Sequence, residues 1–222
     1  MELTRRDFQL FDRSSTAFKQ LKAVLTEKEI TAVKAEYKER WEKWRALQLA
    51  VFPLLPLEMD QGRPKIESWT NGWNLRSHFW AAYRSRSRQQ ENACLVVLMN
   101  KKQYQVYLMF QHYRSDERAG SIADYNHLLA LLPQWGRGID PADYYIWPQS
   151  EDELADHLPL VRYLEDEKAR QKLHEAIGKG TFQIGKLFFA DEPLSAPEAV
   201  TATALQELAP LYQAAATEID QS

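Results

Sequence analysis

Apolar side chains recur at steps of three and four residues between positions 27 and 51, and the opposite side of this segment is rich in Lys, Arg and Glu. This spacing predicts one amphipathic helix of about seven turns. Thr26 and Glu29 have the spacing of a capping box and mark its start. The apolar stripe, which we expect to pack in the core, consists of Ile30, Val33, Tyr37, Trp41, Trp44, Leu47 and Val51.

A two-residue alternation between residues 73 and 113 predicts three consecutive β-strands. The first spans 73–83 after a tight-turn signal at 70–72, the second is the apolar run 93–99, and the third spans 104–113. Because short polar links join them, we expect an antiparallel meander. In the third strand, one face carries Tyr104, Val106, Leu108, Phe110 and His112, and the other carries Gln105, Tyr107, Met109, Gln111 and Tyr113.

The rest of the pattern predicts helices at 121–132, 150–157 and 166–177, and strands at 143–147 and 181–190. The fold class that follows is α+β, with an antiparallel or mixed sheet that contains the three-stranded meander. The long N-terminal helix and the C-terminal helices are expected to pack on this sheet. We expect one domain over residues 1–222, with a helical N-terminal part at 1–55, a sheet region at 66–190 and a closing helix at 195–220.

Composition narrows the class of protein only slightly. Of the 222 residues, 45% are hydrophobic and 27% are charged, and the formal net charge is −3. These values are typical of globular proteins and argue against coating of nucleic acid by bulk charge. The single cysteine, Cys94, excludes a disulfide framework and a multi-cysteine zinc site. Because the N-terminus lacks an apolar signal segment and no apolar run could span a bilayer, we expect a cytoplasmic protein without a membrane partner.

Familiar catalytic motifs are absent from the sequence. It contains no glycine-rich phosphate loop, no serine nucleophile elbow and no metal-ligand spacing among its five histidines. The acidic triplet 151–153 precedes a predicted helix, where carboxylates stabilise the helix dipole, and this role explains the triplet better than catalysis. The sequence therefore predicts no metal, no cofactor and no catalytic residue, and it leaves open whether the protein is an enzyme.

Aromatic and basic residues are concentrated between residues 69 and 88. Flat rings can stack on a planar ligand, polar groups can orient it, and arginines can hold phosphate. The other interpretation is a strand with one buried face and one solvated face. The candidate ligand-binding residues are Trp73, Asn74, Arg76, His78, Trp80 and Arg84 from the first strand region, and His112 and Arg114 from the third.

The segments ESWTNGWNLRSHFW and ACLVVLMNKKQYQVYLMFQHYRSD resemble a small bacterial family of cytoplasmic proteins often labelled glucose-6-phosphate 1-dehydrogenase. The resemblance covers nearly the whole chain, including DFQLFDR and KERWEKWR. It implies NADP-linked oxidation of a sugar phosphate. The chain lacks the dinucleotide fingerprint and a His–Asp pair that could act as a base, so no catalytic residue is carried over.

A second resemblance, in the order of elements, is to the N-terminal DNA-binding domain of the modified-cytosine restriction GTPase. The parallel pieces are TNGWNLRSHFW, ACLVVLMNKKQYQVYLMF, GKGTFQIGKLFF and ATALQELAPLYQA. This resemblance implies a base-flipping reader, which holds an extruded base in an aromatic pocket.

Three functional hypotheses follow. The leading one is a binding protein for a nucleic acid or a nucleotide. The second is an enzyme acting on a phosphorylated small molecule, with His78 or His112 as the general base. The third is a protein-interaction module that presents helix 27–51 or the closing helix. An enclosed pocket with both histidines would favour the enzyme, whereas an open groove continuous with residues 84–88 would favour nucleic acid. The oligomeric state is not predicted.

Overall fold

The structure, a computed structural model, describes residues 1–216. The α-helices are α1 (Arg5–Gln9), α2 (Phe18–Val24), α3 (Glu27–Val51), α4 (Ile122–Asn126), α5 (Leu132–Trp135), α6 (Leu160–Glu165), α7 (Glu167–Ile177) and α8 (Pro197–Ala214). The strands are β1 (Glu2–Leu3), β2 (Lys65–Ile66), β3 (Thr70–Asn71), β4 (Asn74–Leu75), β5 (Phe79–Tyr83), β6 (Ala93–Met99), β7 (Gln103–Phe110), β8 (Tyr144–Pro148), β9 (Leu158–Pro159), β10 (Phe182–Phe189) and β11 (Leu194–Ser195). Short 3-10 helices occupy Phe52–Leu54, Leu57–Met59, Arg86–Arg88, Ser115–Glu117, His127–Ala130 and Gly136–Gly138.

A seven-stranded sheet with the order β2-β5-β6-β7-β10-β8-β9 forms the centre of the described residues. Every neighbouring pair in it is antiparallel. The α+β class and the predicted meander are therefore confirmed, and the second strand has the predicted bounds 93–99. The prediction of one domain over residues 1–222 stays a prediction, and residues 217–220 of the predicted closing helix lie outside the described part.

The inner face of the sheet, which we define as the face covered by α3 and α8, holds the main core. The Thr26 hydroxyl accepts from the Glu29 amide and the Glu29 carboxylate accepts from the Thr26 amide, as the capping-box spacing predicts. From α3, Trp44 packs on Phe79 and Tyr104 with ring centroids 6.1 and 6.0 Å apart. The apolar stripe of the predicted long helix therefore faces the sheet.

The predicted first strand is interrupted, which corrects the interpretation of 73–83 as one continuous strand. β4 pairs with β3 in a separate hairpin whose turn contains Gly72 at φ 58°. Arg76 then holds the chain in an irregular path, because its Nε donates to the Ser68 carbonyl at 2.9 Å and its own carbonyl accepts from the Tyr37 hydroxyl. Regular pairing with β6 begins only at Phe79.

Segment 150–157, predicted as a helix, contains no helix. The Asp152 carboxylate accepts from the Leu154 amide at 2.7 Å, which closes a local turn. Lys102 Nζ donates to the carbonyls of Leu154 and Ala155 at 2.9 and 2.8 Å. These carbonyls therefore accept from a lysine in the turn between β6 and β7 instead of from amides of a next helical turn. The interpretation of the acidic triplet as a helix start is wrong for this reason.

The outer face of the sheet, opposite α3 and α8, carries a smaller apolar cluster that includes Cys94, Tyr107 and Trp147. Segment 150–157 crosses this face. His157 stacks on Trp147 with ring centroids 4.3 Å apart and an interplanar angle of 11°, and Gln103 donates to the Glu153 carbonyl. Part of the outer face is thus covered by an irregular loop, and the part beside this loop stays open. Across residues 1–216, the helices are all too short or too polar to cross a membrane.

Candidate functional site

Two adjoining cavities lie on the open part of the outer face. The histidine cavity, of about 340 Å³, is lined by Glu67, His78, Trp80, Tyr107, Met109, Gln111, His112, Tyr113, Gln149, Glu151, Glu153 and Gln183. The arginine cavity, of about 320 Å³, is lined by Lys65, Glu67, Trp80, Arg84, Gln111, Tyr113, Arg114, Glu117 and Arg118. The two cavities share four lining residues, and together we call them the outer-face groove.

Trp80 is the aromatic residue at the centre of this groove. It lies in β5 opposite Leu98 of β6, and its side chain is partly buried against the outer-face cluster. Because it lines both cavities, its ring can contact a ligand that extends from one to the other. The alternation of Phe79 and Ala81 toward the core explains why Trp80 points outward.

His78 and Glu153 face each other in the histidine cavity, with His78 Nδ1 3.6 Å from Glu153 Oε2. Burial lowers the pKa of His78, and the charge of Arg76 lowers it further, against the opposite effect of Glu67. Burial raises the pKa of Glu153, although nearly half of its side chain is exposed and solvent screens part of this effect. The lowered pKa of His78 favours its neutral ring, which has one N–H donor and one nitrogen acceptor for a polar ligand.

His112 reaches the same cavity from the chain just after β7. The Thr181 hydroxyl donates to Gln149 Oε1 at 2.7 Å, so it accepts from His112 Nε2 at 2.8 Å. Burial lowers the pKa of His112. In the neutral ring, Nδ1 is therefore left as an acceptor. Since β7 ends at Phe110, His112 does not lie on the face of Tyr104 and Phe110, with which the sequence pattern groups it.

Arg84 is buried at the edge of the arginine cavity. Its Nε donates to the Glu91 carbonyl at 3.3 Å and its Nη2 donates to Gln111 Oε1. The predicted residue Arg114 is more exposed and forms an ion pair with Glu117 at 3.5 Å. The basic end of the groove is thus formed from the segments that follow β5 and β7.

Three predicted residues do not line either cavity. Trp73 and Asn74 lie in the β3–β4 hairpin, where the Trp73 side chain is 86% exposed. Arg76 forms an ion pair with Glu67 at 2.6 Å, so it positions a groove residue without lining the groove. The other five predicted residues, His78, Trp80, Arg84, His112 and Arg114, lie along the groove.

Several groove residues are not among the eight candidate ligand-binding residues of the sequence analysis. Tyr107 and Gln111 share the outward parity of the predicted third strand, and that parity was the available signal for them. Glu151 and Glu153 had no such signal, because the segment looked helical. Among residues 1–216 there is no cluster of three or more His, Cys, Asp or Glu placed to hold a metal ion.

His157 stabilises the loop that carries the two groove carboxylates, and this contact predicts a pH dependence. Its side chain is fully buried and its Nδ1 lies 2.6 Å from Glu151 Oε2. Burial lowers the pKa of His157 below its ordinary 6.5, against the opposite effect of the Glu151 carboxylate. The unfolded chain therefore takes up a proton at higher pH than the folded chain, so stability is lost as the pH falls from 6.5 toward the lowered pKa.

We expect the melting temperature to fall between about pH 7.5 and 5.5, and to fall less steeply in His157→Gln. The matched control is His127→Gln, at an exposed histidine, which should keep the wild-type slope. Identical slopes in wild type and His157→Gln would contradict the prediction. His157→Gln also removes the stacking on Trp147, which changes the melting temperature itself. The prediction concerns only how steeply the melting temperature changes with pH.

Comparison with known proteins finds a matching protein family and a related protein. A protein-family model matches residues 3–215. An uncharacterized protein of Haemophilus influenzae is 34% identical over 159 residues, which is 70% of this chain and 72% of that relative. Neither comparison supports the glucose-6-phosphate dehydrogenase label that the sequence resemblance carried.

Proposed function

The chain belongs to the protein family matched over residues 3–215, and we propose that it binds a small anionic molecule with a planar ring, of the nucleotide class, in the outer-face groove. The observation that carries this proposal is the position of Trp80 between an acidic, histidine-containing cavity and a basic one. A ring stacked on Trp80 would place polar edges beside His78 and Glu153. An anionic group on the same molecule would reach Arg84.

The charges along the groove favour a small molecule over a nucleic-acid strand. Glu67, Glu151 and Glu153 line the histidine cavity, and Glu117 lines the arginine cavity. A continuous polyphosphate backbone would run past these carboxylates and be repelled. A mononucleotide needs positive charge at only one end and hydrogen-bonding groups at the other. The groove provides this polarity.

The test is a titration of intrinsic tryptophan fluorescence with adenosine 5′-monophosphate. Stacking on an aromatic side chain is worth ~1–3 kcal/mol, so we expect Trp80→Leu to weaken binding about tenfold or more. The matched control is Trp73→Leu, at the exposed hairpin tip, which should bind as the wild type does. Equal affinities in wild type and Trp80→Leu would overturn the proposal. Tighter, salt-sensitive binding of an oligonucleotide would redirect it to nucleic acid.

A second candidate, acid–base chemistry on the bound molecule, is favoured by one observation: both His78 and His112 line the same cavity. Their lowered pKa values keep both rings neutral near pH 7, as a general base requires. Incubation of a phosphorylated ligand with the wild type, followed by phosphorus NMR, tests this candidate. Turnover by the wild type that is lost in His78→Gln, with binding retained, would support an enzyme. An unchanged spectrum with the wild type would leave ligand binding as the only function.

A further inference from the structure

We propose that Arg84 and Arg118 form a phosphate-binding subsite in the arginine cavity. This inference rests on the proposed function, because it names the anionic group of the ligand and the place where it binds.

Arg84 is a buried cation with free hydrogen-bonding capacity. The residue is only 6% exposed. Its Nε and Nη2 are fixed by Glu91 and Gln111, whereas its Nη1 donates to no acceptor among residues 1–216. Two hydrogen bonds therefore hold the guanidinium rigidly at the cavity and leave a donor available. A binding group that is already oriented loses little conformational entropy when a ligand arrives.

No carboxylate within residues 1–216 forms an ion pair with Arg84. The carboxylate of Glu91 is engaged by Arg88, whose Nε donates to it at 2.7 Å. A charge withdrawn from water without a counter-ion raises the free energy of the folded protein. An anion bound in the cavity would remove much of this penalty.

Arg118 provides the second positive charge. Its Nε is buried without an acceptor in the described part of the chain. Burial raises the pKa of the Cys94 thiol, and the charges of Arg84 and Arg118 both act in the opposite direction. Two guanidinium groups thus lie near the same outer-face side chain, and both line one cavity.

The remaining charges of the cavity do not neutralise this pair. Glu67 is engaged by Arg76 at 2.6 Å, and Glu117 is engaged by Arg114 at 3.5 Å. Lys65 lines the same cavity and forms no ion pair with residues 1–216. The cavity therefore keeps an excess of positive charge. An oxyanion with several acceptor oxygens suits such a site, because it can accept from Nη1 of Arg84 and from Nε of Arg118 at the same time.

Phosphate as a free ion and phosphate as part of a nucleotide share this chemistry, and the experiment separates them. The full chain is titrated with inorganic phosphate at constant ionic strength, followed by calorimetry and by the NMR signals of the arginine Nε–H groups. We expect saturable binding that shifts the Arg84 and Arg118 signals. A hydrogen bond to a charged group is worth enough that Arg84→Gln and Arg118→Gln should each weaken phosphate binding about tenfold or more.

The matched control is Arg86→Gln, at an exposed arginine that is 3.8 Å from Asp60 and outside both cavities. It should bind phosphate as the wild type does. Phosphate affinity that is unchanged in both Arg84→Gln and Arg118→Gln would overturn the subsite, as would equal loss in Arg86→Gln. If Arg84→Gln fails to fold, Arg118→Gln and the Arg118 signal decide the question.

Adenosine, which has the ring but no phosphate, separates this inference from the proposed function. Binding of adenosine that depends on Trp80 while phosphate binds nowhere would refute the subsite and leave the proposed function standing. Conversely, phosphate binding could depend on Arg84 while Trp80→Leu leaves the affinities for adenosine and its monophosphate unchanged. That result would refute the proposed function. If inorganic phosphate competes with adenosine monophosphate, and if Arg84→Gln weakens binding of the monophosphate, the phosphate group of the nucleotide occupies the subsite.

Discussion

Gly185→Ala is expected to lower the free energy of unfolding by about 3 kcal/mol or more, since overpacking of a core costs typically 1–3 kcal/mol and here meets backbone. Gly185 lies in β10 between Tyr107 of β7 and Tyr145 of β8. A Cβ at this position would overlap the Val106 carbonyl oxygen and the Cα and Cβ of Tyr107. Neither can move without breaking the central strand pairing below the groove.

Thermal denaturation measures this effect. For a chain of this size, the loss corresponds to a melting temperature lower by roughly 10 °C. Gly138→Ala is the matched control, because a Cβ on Gly138 meets no atom within 4 Å. A melting temperature of Gly185→Ala within a degree or two of the control would contradict the prediction. It would show that β7 and β10 can move apart to make room for a methyl group at little cost in stability.

Asp7→Asn is expected to be the second large effect, at about 3 kcal/mol, as is typical when one partner of a buried ion pair is removed. The Asp7 carboxylate is 2% exposed and lies 2.7 Å from Lys43 Nζ and 3.4 Å from Arg40 Nη1. It also accepts from the Thr4 amide at 2.9 Å at the start of α1. One side chain therefore joins the N-terminal helix to α3 and caps it.

Chemical denaturation of Asp7→Asn and Asp12→Asn would test this. Asp12 is a surface carboxylate, with 74% of its side chain exposed, and it pairs with Lys101 at 3.7 Å. Its replacement should change stability by less than about 0.5 kcal/mol. Comparable losses in the two variants would mean that burial of Asp7 adds nothing to its ion pairs.

The candidate site was partly predictable because local pattern fixes the side of a strand on which a residue lies. The alternation around Phe79 correctly separates the core positions from Trp80, and Trp80 proved to be a groove residue. Trp73 shows where this reasoning fails. It was grouped with the site because it is near in sequence, but the Gly72 turn and the irregular path at Arg76 direct it away.

The carboxylates of the groove illustrate the opposite error. Sequence alone placed Glu151 and Glu153 at a helix start, where acidic residues are common. In the structure, Lys102 donates to the backbone of this segment, and Glu153 lies opposite His78, which is 75 positions earlier in the chain. No short-range pattern reports such a pairing.

The sequence by itself determined the elements whose signals are local and repeated. The capping box and apolar stripe of α3 and the alternation of the meander each repeat one preference over many residues, so the prediction tolerates a few exceptions. Only the tertiary structure decided the groove. It depends on which residues meet across strands and loops, on the charge of Arg84, which pairs with no carboxylate among residues 1–216, and on the missing side chain of Gly185. These are single contacts between distant positions, and their energies arise only when the chain is packed.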